Sequence, residues 1–176
     1  MKFNFQAFSA IYLHEMDRFK RTLMQSLFSP VLSTSLYFIV FGSVIGGYVE
    51  NIDGISYGSY IVPGLLMLTL LTQSISNTSF GIFFPKFNGT IYEILAAPIS
   101  TFEIVLAFVG AGATKTLIVG IVIFVTSTFF VEVQVMYPLL MVFLLILVAF
   151  TFALFGFLIG LMSSNFEQMS IIPTLV

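Results

Sequence analysis

Long apolar runs, separated by short polar segments, divide this chain into four windows of membrane-spanning length. A helix needs about 20 mostly apolar residues to cross the hydrocarbon core of a bilayer. Runs of this length favour helices over buried strands, and a helix satisfies its own backbone hydrogen bonds in lipid. The pattern therefore predicts an all-α membrane protein, a polytopic helical bundle. Its spans are expected at about 28–48, 58–83, 104–130 and 138–162.

The N-terminal segment 1–27 has a different pattern, in which apolar side chains recur at spacings of three and four. The apolar face comprises Phe5, Phe8, Tyr12, Met16, Phe19, Leu23 and Leu27. The opposite face comprises His14, Asp17, Arg18, Arg21 and Gln25. This pattern predicts an interfacial helix on the cytoplasmic side of the membrane. An extension of the first span into the cytosol is the alternative.

The polar segment "KFNGTIYEILAAPIS", residues 86–100, separates the second and third apolar runs. On a helix its residues fall on two faces. One face holds Phe87, Ile91, Ile94 and Leu95, and the other holds Lys86, Thr90 and Glu93. The segment predicts a short cytoplasmic amphipathic helix over 86–98 that ends at Pro98. Its apolar face either packs on the membrane surface and neighbouring spans, or is presented to a cytosolic partner.

The next helix has a recognisable start, since Ser100 and Glu103 have the spacing of a capping box. The capping box predicts that the third span begins there as a new helix.

The basic residues indicate the orientation of the chain. All six Lys and Arg fall on one side of the four-span layout, whereas the segments assigned to the outside carry only acidic charges. The positive-inside rule then predicts a cytoplasmic N-terminus. Lys115, in the cytoplasmic half of the third span, is expected to extend its ammonium group to the interface. The alternative is a lysine that faces the helix bundle.

Composition narrows the class of function. Hydrophobic residues make up 59% of the 176 positions and charged residues 8%, far below the roughly one quarter typical of soluble domains. The formal net charge of −2 gives no reason to expect nucleic-acid binding. With no cysteine and one histidine, the chain offers no thiolate ligand and little material for a metal site. No cofactor and no catalytic residue are expected on this chain.

Three stretches of the sequence resemble type-2 ATP-binding-cassette exporter permeases, and the bacterial drug-type and nodulation-type lipo-oligosaccharide exporters in particular. They are "SPVLSTSLYFIVFGSVIG", "SYIVPGLLM" and "KFNGTIYEILAAPIS". The resemblance implies that about 86–97 form a coupling helix that docks on a separate cytosolic ATPase subunit. The partner-binding residues would be Lys86, Phe87, Thr90, Ile91, Glu93, Ile94 and Leu95.

The same resemblance implies a permease homodimer in a bacterial inner membrane, with ATP bound and hydrolysed on the partner subunit. The implied function is outward movement of an amphipathic or lipid-linked substrate; a secondary transporter or channel is the runner-up. Family members have six spans, and residues 171–176 read as the start of a fifth. Residues 1–176 are therefore interpreted as a single, incomplete transmembrane permease domain.

Small residues and proline suggest where helices pack or bend. The pairs Gly42/Gly46 and Gly156/Gly160 have the GxxxG spacing of close helix contacts. Pro63 and Gly64 predict a kink near the outer end of the second span. The stretch "GAGATKT", residues 110–116, is not interpreted as a phosphate-binding loop, because it lacks the preceding strand and the glycine before the lysine.

Overall fold

The computed structural model describes residues 3–41, 51–52, 55–131, 133 and 135–169 of the chain. These residues form α1 (Phe5–Arg21), α2 (Leu23–Val40), β1 (Asn51–Ile52), β2 (Ile55–Ser56), α3 (Tyr57–Phe87), α4 (Ile91–Ala96), α5 (Thr101–Ser127) and α6 (Pro138–Met162). A further helical turn covers 166–169. Helices α2, α3, α5 and α6 are long and apolar enough to cross a membrane, which confirms the prediction of an all-α polytopic protein with four spans.

The span boundaries match the predicted ones to different degrees. Helix α6 coincides with the predicted fourth span, Pro138–Met162. Helix α5 starts at Thr101 because the capping box at Ser100 is formed, and it ends at Ser127. Helix α2 starts at Leu23, earlier than predicted, and the predicted end of the first span, 42–48, lies outside the described residues.

The N-terminal segment is divided into two helices rather than forming one helix over 1–27. Helix α1 ends at Arg21, and the backbone N–H of Thr22 donates to the carbonyl of Phe19 at 3.1 Å. Basic side chains fill the last turn of α1, where positive charge stabilises the helix dipole. The alternative, an extension of the first span into the cytosol, stays a prediction, since the single residue Thr22 separates α1 from α2.

A short β ladder precedes α3. Strands β1 and β2 pair antiparallel, with Asn51 opposite Ser56 and Ile52 opposite Ile55. Ser56 then caps α3, since its hydroxyl accepts a hydrogen bond from the backbone N–H of Ser59 at 3.3 Å.

Helix α3 forms the centre of the bundle and packs against both α5 and α6. The predicted glycine pair on α6 lies at this crossing. A Cβ atom on Gly156 would lie 2.5 Å from the carbonyl oxygen of Ile75, and one on Gly160 would lie 2.6 Å from that of Ser79. The missing side chains thus let two helix backbones approach within this chain. The other predicted pair, Gly42 and Gly46, lies outside the described residues.

Proline does not interrupt α3, which is helical on both sides of Pro63 and Pro85. Pro63 has no N–H to donate to the preceding turn. The space around Gly64 is open, with nothing within 4 Å of an added Cβ atom. A kink at Pro63 and Gly64 remains a prediction.

Candidate functional site

The polar segment between α3 and α5 forms a turn followed by a short helix. Asn88 caps the end of α3, and Gly89 adopts φ +80°, a left-handed conformation that side chains disfavour. The backbone N–H of Tyr92 donates to the carbonyl of Gly89 at 3.2 Å as α4 begins. The predicted helix over 86–98 is therefore shorter than expected, because the turn at Gly89 separates Lys86 and Phe87 from α4.

The side chains of α4 divide between the bundle and the surface. Ile91 and Ile94 are half-buried against the core cluster. Tyr92 and Leu95 are 73% and 61% exposed, and Phe87, at the end of α3, is 61% exposed. The prediction that Phe87, Ile91, Ile94 and Leu95 share one face is wrong for Phe87, which precedes the turn at Gly89. Leu95 lies one turn after Ile91 on the same side of α4, yet it is exposed, whereas Ile91 and Ile94 are half-buried.

The polar side chains of the segment also lie at the surface. Thr90 and Glu93 are both exposed, and the backbone N–H of Glu93 donates to the carbonyl of Thr90 at 3.1 Å. The surface of α4 therefore combines Tyr92 and Leu95 with one carboxylate. Tyr92 was not among the predicted partner-binding residues. It follows Ile91 directly, so it lies about 100° around the helix from that half-buried side chain.

Lys86 serves the bundle itself. Its ammonium group donates to the carbonyl oxygens of Leu161 at 2.6 Å and Ser163 at 2.9 Å. The last carbonyls of a helix have no partner within that helix, so a lysine placed beside them forms favourable hydrogen bonds. The interpretation of Lys86 as a residue on the partner-facing side misses this role. Aromatic contacts also join α3 to the residues after α6. The ring centroid of Phe166 lies 4.9 Å from the ring centroids of both Phe83 and Phe87.

The start of α5 is fixed to the N-terminus of the chain. The predicted capping box is confirmed, with a carboxylate oxygen of Glu103 accepting from the backbone N–H of Ser100 at 2.7 Å. The other carboxylate oxygen accepts from the backbone N–H of Asn4, whose side-chain amide donates to the carbonyl of Pro98 at 3.3 Å. The connection between α4 and α5 is thus hydrogen-bonded to the residue that precedes α1.

From the start of α5, helix α1 runs alongside α5. The Tyr12 hydroxyl donates to the Thr114 hydroxyl at 3.0 Å, and the Tyr12 ring lies 3.9 Å from the position of a Cβ atom on Gly110. One side of α1 therefore packs on the bundle. That α1 also lies in the membrane interface remains a prediction.

A charged cluster of Glu15, Arg18 and Lys115 joins α1 to α5. The Lys115 ammonium lies 2.7 Å from Oε2 of Glu15, and Nη2 of Arg18 lies 2.8 Å from the same oxygen. The side chains of Lys115 and Glu15 are 4% and 3% exposed. The expectation that Lys115 extends to the interface is wrong, because α1 covers it and supplies a carboxylate. The alternative, a lysine facing the bundle, is what the structure has.

Glu15 is the residue that sequence reasoning missed. A lysine within a span is almost always paired with another polar group. Glu15 lies on α1, which packs beside α5, and it supplies the carboxylate. The neighbouring carboxylate, Asp17, points away to the surface and accepts a hydrogen bond from Lys20 at 3.0 Å. That hydrogen bond lowers the pKa of Asp17 below its ordinary value.

Comparison with known proteins gives consistent relatives. A family model described as ABC-2 type transporter matches residues 6–176. The inner membrane transport permease YadH of Escherichia coli strain K12 is 38% identical over 170 residues. The alignment covers 97% of this chain and 66% of the relative, so the chain spans just under two thirds of that protein. Permeases of the same name from E. coli O157:H7 and Shigella flexneri match equally well. No solved structure matches.

Proposed function

The chain belongs to the ABC-2 type transporter family, and we propose on that premise that it is the permease subunit of an ATP-driven exporter. It would lie in a bacterial inner membrane with its N-terminus in the cytoplasm, paired with a second copy of itself. A separate cytosolic ATPase would supply the energy. The cargo would be an amphipathic or lipid-linked molecule moved outward.

The observation that carries this proposal is the exposed surface of α4, between the two helices that pack at the centre of the bundle. Tyr92 and Leu95 project from α4, with Phe87 exposed beside it. Large apolar side chains in such a short, otherwise polar connection are typical of a protein contact. A short helix with apolar anchors suits a groove on a partner. Helix α4 is therefore assigned as the coupling helix.

The contacts around α4 explain how movement of that helix would reach the rest of the bundle. Asn4 links its C-terminal side to α1, and Glu103 continues the link into α5. Lys86 links the end of α3 to the end of α6. A partner that displaces α4 when it closes on nucleotide would therefore also move the helices to which α4 is linked, α1, α3, α5 and α6.

Assignment of ATP hydrolysis to a partner is supported by the position of Lys115. This lysine belongs to the "GAGATKT" stretch, which is part of α5, and it is paired with Glu15. A phosphate-binding loop instead presents a free lysine between a strand and a helix.

The charged cluster favours a second candidate function, a secondary transporter. Ionisable residues within spans often belong to ion or proton pathways. In this chain, however, two cations hold the one carboxylate of Glu15. That arrangement is typical of a fixed counter-ion. Dependence of transport on the ATPase subunit would separate the two functions.

Co-purification of the ATPase with the full-length permease tests the proposal. Tyr92→Ala combined with Leu95→Ala should reduce the recovered ATPase about tenfold, the loss expected when central anchors of an interface are truncated. The matched control is Tyr137→Ala with Met136→Ala. These residues are 69% and 87% exposed and lie between α5 and α6, at the other end of the bundle. Undiminished recovery with the α4 double variant would refute the assignment of α4.

A further inference from the structure

A cavity of about 420 Å³ lies against the charged cluster, between the α1–α2 junction and α3. Its wall combines cations, small polar groups and aromatic rings. The residues that define its chemistry are Arg18, Lys115, Ser26, Asn77, Phe80 and Phe84. The cavity is thus polar at one side and aromatic at the other.

The charged side chains that line the cavity, Arg18 and Lys115, are both cationic. They share one carboxylate, since both contact Oε2 of Glu15. Two positive charges against one negative leave the cluster with one positive charge in excess. The excess lies at Arg18, the partly exposed member of the cluster, so an anion that enters the cavity would compensate it there.

Arg18 can reach an anion in this cavity. A third of its side chain is exposed, and only part of its donor set is needed for Glu15. A guanidinium group has five N–H donors in a planar fork that matches the oxygens of a phosphate. Ser26, on the same wall, has a hydroxyl that donates to the Thr22 hydroxyl at 3.4 Å and that can donate to the ligand instead.

The aromatic side of the cavity suits hydrocarbon. Phe80 and Phe84 lie one turn apart on α3 and are 45% and 46% exposed. Helix α3 is one of the four candidate membrane spans, so we expect acyl chains to reach these rings. A free phosphate ion would gain nothing from them.

We propose that this cavity binds the phosphate group of an anionic amphiphile, with Arg18 as the main contact and the hydrocarbon along Phe80 and Phe84. The ligand is either a phospholipid of the surrounding membrane or a phosphate-linked cargo entering the exporter. The second source rests on the proposed function, whereas the first does not.

Lipid retention tests the site without the ATPase. The full-length permease is reconstituted in nanodiscs of equal phosphatidylglycerol and phosphatidylcholine, released, and analysed by native mass spectrometry. The protein should retain phosphatidylglycerol selectively, and Arg18→Gln should reduce the retained fraction about tenfold, as expected on loss of a charged hydrogen bond. Arg18→Lys should restore much of it.

Arg21→Gln is the matched control, because Arg21 is exposed on the same helix and does not line the cavity. Equal losses in Arg21→Gln and Arg18→Gln, or no preference of the unmodified protein for phosphatidylglycerol, would overturn the site. Displacement of the lipid by millimolar inorganic phosphate would overturn its amphiphilic character. A normal thermal transition of the Arg18→Gln protein establishes that a loss of lipid reflects the site and not unfolding.

The source of the ligand is assigned in a separate arm. Proteoliposomes containing permease and ATPase receive phosphatidylglycerol with a fluorescent acyl chain, and its movement between leaflets is followed with and without ATP. ATP-dependent movement that Arg18→Gln reduces identifies the ligand as cargo. Selective retention without such movement identifies a resident membrane lipid.

Discussion

Glu15 pairs with two cations through one oxygen atom, so the three members of the charged cluster contribute unequally to stability. Glu15→Gln keeps the shape but leaves the buried Lys115 without its carboxylate, beside the partly exposed Arg18. It should destabilise the protein by about 3–5 kcal/mol, the range for removing one partner of a buried ion pair. Lys115→Met leaves Glu15 paired with Arg18 and should cost only about 1–2 kcal/mol. Thermal unfolding of the full-length protein in detergent measures both, and equal losses would contradict this account.

The same cluster illustrates why residue-level prediction failed there. Lys115 and Glu15 are 100 residues apart in sequence. Local pattern gives the cost of a lysine in a span but not the partner that offsets it. Glu15 lies between Tyr12 and Phe19 on the border of the apolar face, where periodicity alone does not distinguish a surface carboxylate from a buried one.

At the scale of elements, the crossing of α6 over α3 depends on the absence of a side chain at Gly156. Gly156→Ala would place a Cβ atom 2.5 Å from the carbonyl oxygen of Ile75 and 2.8 Å from its Cα atom. Because those atoms are backbone, the helices must separate, at a cost of about 1–3 kcal/mol. Gly64→Ala is the control, since its Cβ atom would enter open space. It should be neutral or stabilising in the same thermal assay; similar losses for both would refute the close-packing explanation.

The turn before α4 depends on backbone conformation rather than on space. Gly89 has φ +80° and nothing within 4 Å of an added Cβ atom. Gly89→Val therefore tests the dihedral angle alone, and we expect it to displace α4 and lower ATPase recovery several-fold. Gly89→Asn should keep most of the recovery, because asparagine tolerates left-handed conformations at little cost. Identical recovery with both variants would show that the turn does not position α4.

How far each element could be predicted depends on whether its limits are local. The limits of α6 follow from Pro138 at its start and the polar residues after Met162, so its bounds match. The start of α5 follows from the Ser100 cap. The end of α3 could not be predicted in this way. Lys86 lies in the last turn of α3, and its ammonium group donates to the carbonyl of Leu161 at the end of α6, far along the chain. The burial of the apolar side chains of α4 could not be predicted for the same reason, since packing decides which of them turn inward.

At the scale of the whole molecule, the arrangement separates a charged, tightly connected end from an apolar one. Glu103, Asn4 and Lys86 tie α1, α3, α5 and α6 together at the end that carries α4, and the charged cluster continues the link between α1 and α5 halfway along α5. At the opposite end a cavity of about 900 Å³ lies between α3 and α6, with Tyr60, Pro63 and Tyr137 in its wall. Movement imposed at α4 would therefore reach α1, α5 and α6 through direct hydrogen bonds before it reaches the far end of the bundle.

The orientation of this arrangement decides whether a cytosolic ATPase can reach α4 at all. The basic residues predict that α1 and α4 lie in the cytoplasm and that the connection between α5 and α6 lies outside. The 176 residues contain no cysteine, so single cysteines report without background from this segment. Met136→Cys, at a residue 87% exposed, should react with a membrane-impermeant maleimide in intact spheroplasts. His14→Cys, on the exposed side of α1, should react only after the membrane is permeabilised. Both should react fully in detergent, which controls for accessibility. The reverse pattern in spheroplasts would place α4 outside the cell, where no ATP is available to a partner, and would remove the basis for an ATP-driven exporter.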